Sequence, residues 1–131
     1  MIDKNLPRPT EAELRILQVL WKYGDNSVRK IFKILNQDSE TEIGYSTVLK
    51  MLQIMTQKGL VVRDESERPQ IYQASLPQEQ TQRQLVNDLL DRAFGGSTRQ
   101  LVMRALSAEE TSEGDLAKIE KLLDKIEENK K

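Results

Sequence analysis

Residues 44–59 hold a row of hydrogen-bond donors and no Asp or Glu, although the 131-residue chain contains 21 acidic residues. Hydroxyl, ammonium and amide groups can contact phosphates and base edges in the major groove of DNA. At the period of an α-helix these donors share one face. They are Ser46, Thr47, Lys50, Gln53 and Gln57. The spacing therefore predicts a helix whose polar face binds DNA.

The other face of the same stretch is apolar. Its residues recur at i, i+3, i+4 and i+7, which is the spacing of a stripe that packs against a core. They are Val48, Met51, Leu52 and Met55. Lys58 and Gly59 predict the end of the helix, because a cation favours the helix C-terminus and glycine readily adopts the left-handed conformation that follows it.

Two shorter helices are predicted before this one, after an N-terminal arm. Residues 10–13, Thr-Glu-Ala-Glu, form a capping box, and an amphipathic helix runs from there to about Lys22. Ser27 is placed to cap a second helix, from Val28 to about Asn36. Three cations, Arg29, Lys30 and Lys33, project from that second helix. They form either a solvated surface or a set of contacts to DNA phosphates.

A β-hairpin is predicted after the third helix. Residues 36–43 form a polar, acidic loop that leads into that helix. Beyond it, residues 60–63 and 70–74 have strand composition, and the charged residues 64–69 form the turn between them. Three helices followed by a hairpin is the order of a winged helix-turn-helix domain.

From residue 77 onward the chain is predicted to be helical again. Gly95-Gly96 interrupts the helices and Ser97 caps the next one. These helices have too little mutual surface for a core of their own, so they either form a dimer with a second copy or fold back onto the first half. Candidate dimer contacts are Leu85, Leu89, Phe94, Leu101, Val102, Leu116, Ile119, Leu122 and Leu123. The predicted fold is mainly α with an α+β wing, divided into a winged-helix domain, 1–76, and a helical dimerisation region, 77–131.

Composition limits the classes of function. The net charge of −1 excludes a bulk polycation but allows a locally basic face. The chain has no His and no Cys, which removes the commonest general base and the thiolate metal sites, so we expect no enzyme, metal or cofactor. The acidic cluster at residues 64–67 is interpreted as a solvated turn, and Tyr72 as half-buried on a strand. With no long apolar run and no signal-peptide core, we expect no membrane insertion and a cytoplasmic protein.

Several segments together resemble the penicillinase-repressor family of bacterial regulators. Residues 10–13 with Leu20-Trp21 resemble its first helix. Residues 45–48, followed by Leu52 and residues 58–61, resemble its third helix and first wing strand. Residues 94–97 with Leu101-Val102 resemble its hinge, and residues 116–123 resemble its last helix.

This resemblance implies a homodimeric repressor that binds a palindromic operator in double-stranded DNA. It implies that Ser46, Thr47 and Lys50 face the groove, that Tyr45 approaches the backbone, and that Arg63 and Arg68 on the wing contact phosphate. In the family's best-known members a membrane receptor protease relieves repression. Arg104-Ala105 stands at the position of the Asn-Phe pair that is cut in those relatives.

A second hypothesis is a winged-helix module that binds another protein and no DNA. The near-neutral net charge favours it. Such a module would be expected to present an acidic or apolar outer face on the third helix, whereas residues 46–57 present hydroxyls, amides and Lys50 on that face.

Overall fold

The computed structural model describes residues 7–37, 42–66, 68–108 and 112–129. The predicted N-terminal arm lies largely outside the described residues, as do the centre of the acidic loop, 38–41, and Glu67 in the hairpin turn. The chain forms two compact units, Met1–Gln82 and Arg83–Lys131. Its described elements are α1 (Glu11–Tyr23), β1 (Asn26–Ser27), α2 (Val28–Gln37), α3 (Tyr45–Lys58), β2 (Val61–Asp64), β3 (Ile71–Ala74), α4 (Gln78–Ala93), α5 (Thr98–Ser107) and α6 (Glu113–Asn129).

The capping box at the start of α1 is confirmed. The Thr10 hydroxyl accepts a hydrogen bond from the Glu13 amide at 3.2 Å, and the Thr10 amide donates to Glu13 Oε1 at 2.9 Å. Each helix begins with amides that lack a partner within the helix, so this reciprocal pair stabilises α1 by about 1 kcal/mol. The Glu13 side chain is thereby held at the surface of the core, where it is almost fully buried.

The short strand β1 was not predicted. Asn26 pairs with Tyr72 and Ser27 pairs with Ile71 in an antiparallel arrangement. The Asn26 side chain is buried and donates to the carbonyl oxygens of Tyr23 and Gly24 at 3.3 and 3.0 Å. Two residues are too few to show the alternation that identifies a strand in a sequence. The Ser27 hydroxyl also accepts from the Lys30 amide at 3.4 Å, as a cap of α2 should.

The third helix and the hairpin are confirmed. Val48, Leu52 and Met55 are fully buried. Gly59 ends α3 in the left-handed conformation, at φ 84° and ψ 15°, and the Leu60 amide donates back to the Met55 carbonyl at 2.8 Å. Strands β2 and β3 then pair in antiparallel register, and the sheet order is β1-β3-β2.

The core of the first unit combines residues from α1, α2, α3 and the sheet. Tyr72 is buried rather than half-buried, with only 2% of its surface exposed. The expectation failed because β3 is the central strand, covered by β1 on one edge and β2 on the other. The other large side chains that are fully buried are Ile16, Leu17, Ile31, Val48, Leu52, Met55 and Val61.

The second unit holds most of α4 together with α5 and α6. The Ser97 hydroxyl accepts from the Gln100 amide at 3.2 Å and so caps α5 as predicted. Arg99 of α5 forms an ion pair with Asp124 of α6. Large apolar side chains are exposed on this unit, and they are Val86, Leu89, Leu122 and Ile126. Among the described helices, none is both long and apolar enough to cross a membrane.

Candidate nucleic-acid interface

One face of α3 is exposed along its whole length. The five donors that the sequence placed on one face are all exposed, and they are Ser46, Thr47, Lys50, Gln53 and Gln57. The buried residues Val48, Leu52 and Met55 hold the opposite face against the core. The structure therefore brings the predicted donors together on one solvent-facing surface that carries no carboxylate, with Lys50 as its central cation.

Ile54 also lies on this exposed face, although it is not among the site residues predicted from the sequence. It is 41% exposed and follows Lys50 by one helical turn. Its position outside the i, i+3, i+4, i+7 stripe was the signal that could have identified it. An isolated apolar side chain among donors offers a contact for the C5-methyl group of thymine.

Tyr45 joins the start of α3 to α2. Its ring meets the Phe32 ring edge to face, with centroids 5.6 Å apart and planes at 79°. The Arg29 guanidinium lies 5.5 Å from the centroid of the same ring. Tyr45 remains 41% exposed, so α2 fixes the ring while leaving it accessible at the first turn of α3.

A groove of about 890 Å³ lies between the first half of α2, the first turns of α3 and the hairpin. We call it the basic groove, because four of its lining side chains are the cations Arg29, Lys30, Lys33 and Arg68. Glu65 is the only carboxylate on its described wall. All five of these residues are exposed to solvent. The groove brings together the α2 cations and Arg68, which lie far apart in the sequence.

The second predicted wing cation, Arg63, forms an ion pair with a neighbouring carboxylate. Its guanidinium forms an ion pair with Glu65, and Arg63 lies opposite Tyr72 in the strand register. The pKa of Arg63 is raised, mainly by the charge of Glu65 and further by a hydrogen bond with Tyr72. A contact between Arg63 and a phosphate would therefore have to replace the contact with Glu65.

The start of the wing turn has a fixed local geometry. Asp64 accepts hydrogen bonds from the amide and the hydroxyl of Ser66, at 2.9 and 2.6 Å. These bonds to the ionised carboxylate lower the pKa of Asp64. The acidic cluster that the sequence shows at this turn thus includes one carboxylate that shapes the backbone and one, Glu65, that pairs with Arg63.

The remaining predicted site residues lie on the second unit. Leu89 and Leu122 are exposed and Leu123 is buried. The other candidate dimer contacts are half-buried, and they are Leu85, Phe94, Leu101, Val102, Leu116 and Ile119. Arg104 and Ala105 are exposed on α5. In the described part of the chain, no cluster of three or more acidic, His or Cys side chains is arranged to hold a metal ion.

Three packed helices, a hairpin directly after the third helix, and an exposed carboxylate-free face on that helix define a winged-helix domain of the DNA-binding class. The sequence model of the penicillinase repressor family matches residues 9–125. The chain belongs to the penicillinase repressor family. The match confirms the family resemblance seen in the sequence. The members of this family are repressors rather than enzymes.

Individual relatives are distant but match over most of their length. The chain is 21% identical over 128 residues to the penicillinase repressor of Bacillus licheniformis, which covers 98% of each protein. The solution structure of the monomeric form of BlaI from the same species, in complex with the blaP half-operator, superimposes with a TM-score of 0.51 at 22% identity, covering 61% of this chain and 93% of that chain. The complex structure of hsRosR-S4 gives a TM-score of 0.54 at 16% identity, covering 88% and 96%. The structural matches establish the shared fold.

Proposed function

We propose that this chain is a transcriptional repressor that binds operator DNA through the exposed face of α3 and the hairpin wing. Membership of the penicillinase repressor family supports a DNA-binding repressor, as does the likeness to a relative bound to its half-operator. The observation that carries the assignment to α3 is its exposed face, where hydroxyls, amides and Lys50 stand without a carboxylate. The alternative protein-binding module would need an acidic or largely apolar surface at that place.

On this proposal, α3 enters the major groove and its side chains read base edges. Ser46, Thr47 and Gln53 act as hydrogen-bond partners and Lys50 as the central cation, and each good base contact adds roughly 1–3 kcal/mol of discrimination. Ile54 adds an apolar contact that favours thymine, because the thymine methyl group is exposed in the major groove. Tyr45 approaches the sugar-phosphate backbone from the first turn of the helix.

Phosphate contacts come from α2 and the wing. Arg29, Lys30 and Arg68 face solvent beside α3, where they can neutralise backbone charge and release counterions. Arg63 joins them when DNA displaces Glu65. Such contacts position the domain and make the affinity depend on salt, whereas they carry no sequence information directly.

We also propose an oligomeric state, a cellular location and a cleavage site for this chain. Exposed Leu89 and Leu122 support a homodimer through the second unit, since a dimer places two recognition helices on the half-sites of a palindromic operator. The other proposed dimer contacts are Leu85, Phe94, Leu101, Val102, Leu116, Ile119 and Leu123. A repressor acts where the DNA is, so we place it in the cytoplasm. Release by a membrane sensor protease would cut at Arg104-Ala105, which is exposed on α5.

The test is a gel-shift titration against the DNA upstream of the protein's own gene, at about 50 and about 200 mM salt. We expect tight binding to a discrete palindromic site that weakens as salt rises. Lys50→Ala should weaken it about tenfold, the equivalent of about 1.4 kcal/mol. Lys118→Ala is the control, because Lys118 is exposed on α6 in the second unit. Unchanged affinity in Lys50→Ala would exclude this face of α3 as the reading surface.

A further inference from the structure

The basic groove has a shape and a charge that DNA binding does not fully explain. Its volume of about 890 Å³ is within the range of about 300–1,000 Å³ that small-molecule sites occupy. It lies wholly within the first unit, between α2, α3 and the hairpin. A cavity of this size beside a DNA-binding surface can hold a ligand of its own.

The walls of the groove are positively charged. Arg29, Lys30, Lys33 and Arg68 line it, and among the described residues no carboxylate forms an ion pair with any of them. The one carboxylate of the described wall, Glu65, is paired with Arg63. Four cations around one concave surface attract an anion, and an Arg guanidinium can hold a carboxylate or phosphate through two hydrogen bonds.

Apolar and aromatic residues also line the basic groove. Among these lining residues Val28 and Tyr72 are buried, Leu49 is half-buried, and Pro69 and Tyr45 are exposed. A phosphodiester of the DNA backbone would satisfy the cations but would leave this apolar surface without a partner. A flat apolar body would cover that surface, as ligands generally do in pockets with apolar walls and a few placed polar groups.

We propose that the basic groove binds a small organic anion with a flat apolar body, and that its occupation releases operator DNA. The anionic group lies among Arg29, Lys33 and Arg68, while the apolar body lies on Val28 and Leu49. Release follows because the anion occupies the cations that would otherwise contact phosphate. This second half rests on the proposed function, whereas binding of the anion does not.

The site is tested on the free full-length chain, with 2-naphthoate as the probe and NMR spectra of the 15N-labelled protein as the measurement. We expect saturable shifts confined to α2, the first turns of α3 and residues 68–72. Arg29→Gln combined with Lys33→Gln should weaken binding about tenfold, because charge-assisted contacts to the anion are lost. Lys118→Gln, on α6, should leave the affinity unchanged. Both groove residues are exposed, so the double variant is expected to fold.

Two further probes separate charge from apolar contact. Neutral 2-naphthalenemethanol and inorganic phosphate should each bind at least about tenfold more weakly than 2-naphthoate, since each lacks one of the two kinds of contact. Equal binding of the neutral alcohol would overturn the proposal. So would an unchanged affinity in the double variant, or shifts centred on the exposed apolar residues Leu89 and Leu122 of the second unit.

Release is tested by adding 2-naphthoate to an operator titration at constant ionic strength, with sodium phosphate as the control. Operator binding that is weakened by 2-naphthoate but not by sodium phosphate supports competition at the basic groove. Binding of 2-naphthoate that leaves operator affinity unchanged would overturn the release step. A chain that binds 2-naphthoate in the groove but binds no operator would overturn the proposed function and leave the ligand site established.

Discussion

Lys58, in the last turn of α3, forms an ion pair with Glu13, in the first turn of α1, and the Nζ–Oε1 distance is 2.6 Å. The same carboxylate accepts the Thr10 amide of the capping box. Glu13 is almost fully buried, whereas the Lys58 side chain is 35% exposed. One carboxylate therefore caps the first helix and holds the C-terminal end of the proposed recognition helix.

This contact makes the stability of the first unit sensitive to acid. Burial raises the pKa of Glu13, but the hydrogen bonds from Lys58 and Thr10 outweigh it, and the net pKa lies below the ordinary value of 4.5. A lowered pKa in the folded state contributes stability above about pH 4.5, and this contribution is lost as the pH falls through the folded-state pKa. Lys58→Met should lower the free energy of unfolding at pH 7 by about 1–2 kcal/mol, after a discount for the exposure of Lys58.

Urea unfolding at pH 7 and pH 3.5 provides the measurement, with Lys50→Met as the control on the same helix. The difference between Lys58→Met and the wild-type chain should be smaller at the lower pH, because the contribution of the Glu13 carboxylate is lost as the pH falls through its lowered folded-state pKa. A difference that stays the same at both pH values would show that Lys58 acts by packing rather than by charge.

The pairing of Arg63 with Glu65 predicts that Glu65→Gln strengthens DNA binding. Both side chains are substantially exposed, at 38% and 62%, so their ion pair contributes little to folding stability. Without it, Arg63 is available to a phosphate. We expect the affinity for operator to rise about threefold at low salt, and the salt dependence to steepen by about one counterion.

The control for this prediction is the double variant Arg63→Gln with Glu65→Gln. It removes the charge of Glu65 but offers no cation in its place, and it should bind no more tightly than the wild-type chain. If the double variant gains as much affinity as Glu65→Gln alone, the effect is the loss of a negative charge and not the release of Arg63.

The exposed side chain of Ile54 leads us to predict a preference for thymine at the contacted base. This preference can be measured by removing the methyl group of that base. Replacing the contacted thymidine by deoxyuridine removes one methyl group, and the wild-type chain should bind about fourfold more weakly, since a buried methyl group contributes about 0.8 kcal/mol. The affinity of Ile54→Ala for operator DNA should not change on the same replacement. Val86→Ala, which changes an exposed apolar residue of α4, should retain the preference. A thymine preference that persists in Ile54→Ala would assign the contact to another side chain.

The exposed apolar residues of the second unit predict the dimer contact. Leu122 is 59% exposed, so Leu122→Asp removes little packing within the chain, yet it would place a charge in a dimer interface. Sedimentation velocity should show a monomer for this variant and a dimer for the wild-type chain. Lys118→Asp, a charge change on the same helix, should remain dimeric. A dimer that survives Leu122→Asp would locate the interface away from this part of α6.

The helices, their caps and the hairpin could be predicted because each depends on residues close together in the sequence. Thr10 and Glu13 meet across one turn, and Gly59 ends α3 through its own backbone. The exposed donors of α3 follow from the same helical period. Their role in DNA binding, and the dimer contacts of the second unit, stay predictions until the experiments above are made.

The features that were missed depend on residues that are distant in sequence or on neighbours of competing charge. No local pattern pairs Glu13 with Lys58, which are 45 residues apart. The burial of Tyr72 depends on β1, which is too short to be recognised. The ion pair between Arg63 and Glu65 was not predicted, because sequence position alone does not show which way a guanidinium turns. The basic groove arises only when α2 and the hairpin are brought together.

The place of β1 in the sheet has a mechanical consequence. Asn26 and Ser27 are bonded to β3 of the wing, and the next residue, Val28, begins α2. The hairpin and the first turn of α2 are therefore connected through the pairing of β1 with β3. Arg68 lies in the hairpin and Arg29 lies in the first turn of α2. This pairing forms when the chain folds, so the backbone of β1 and β3 has little conformational entropy left to lose on DNA binding. On the proposed function, in which Arg29 and Arg68 contact phosphates, DNA whose backbone spacing does not match the separation of these two side chains would be bound less tightly whatever its bases.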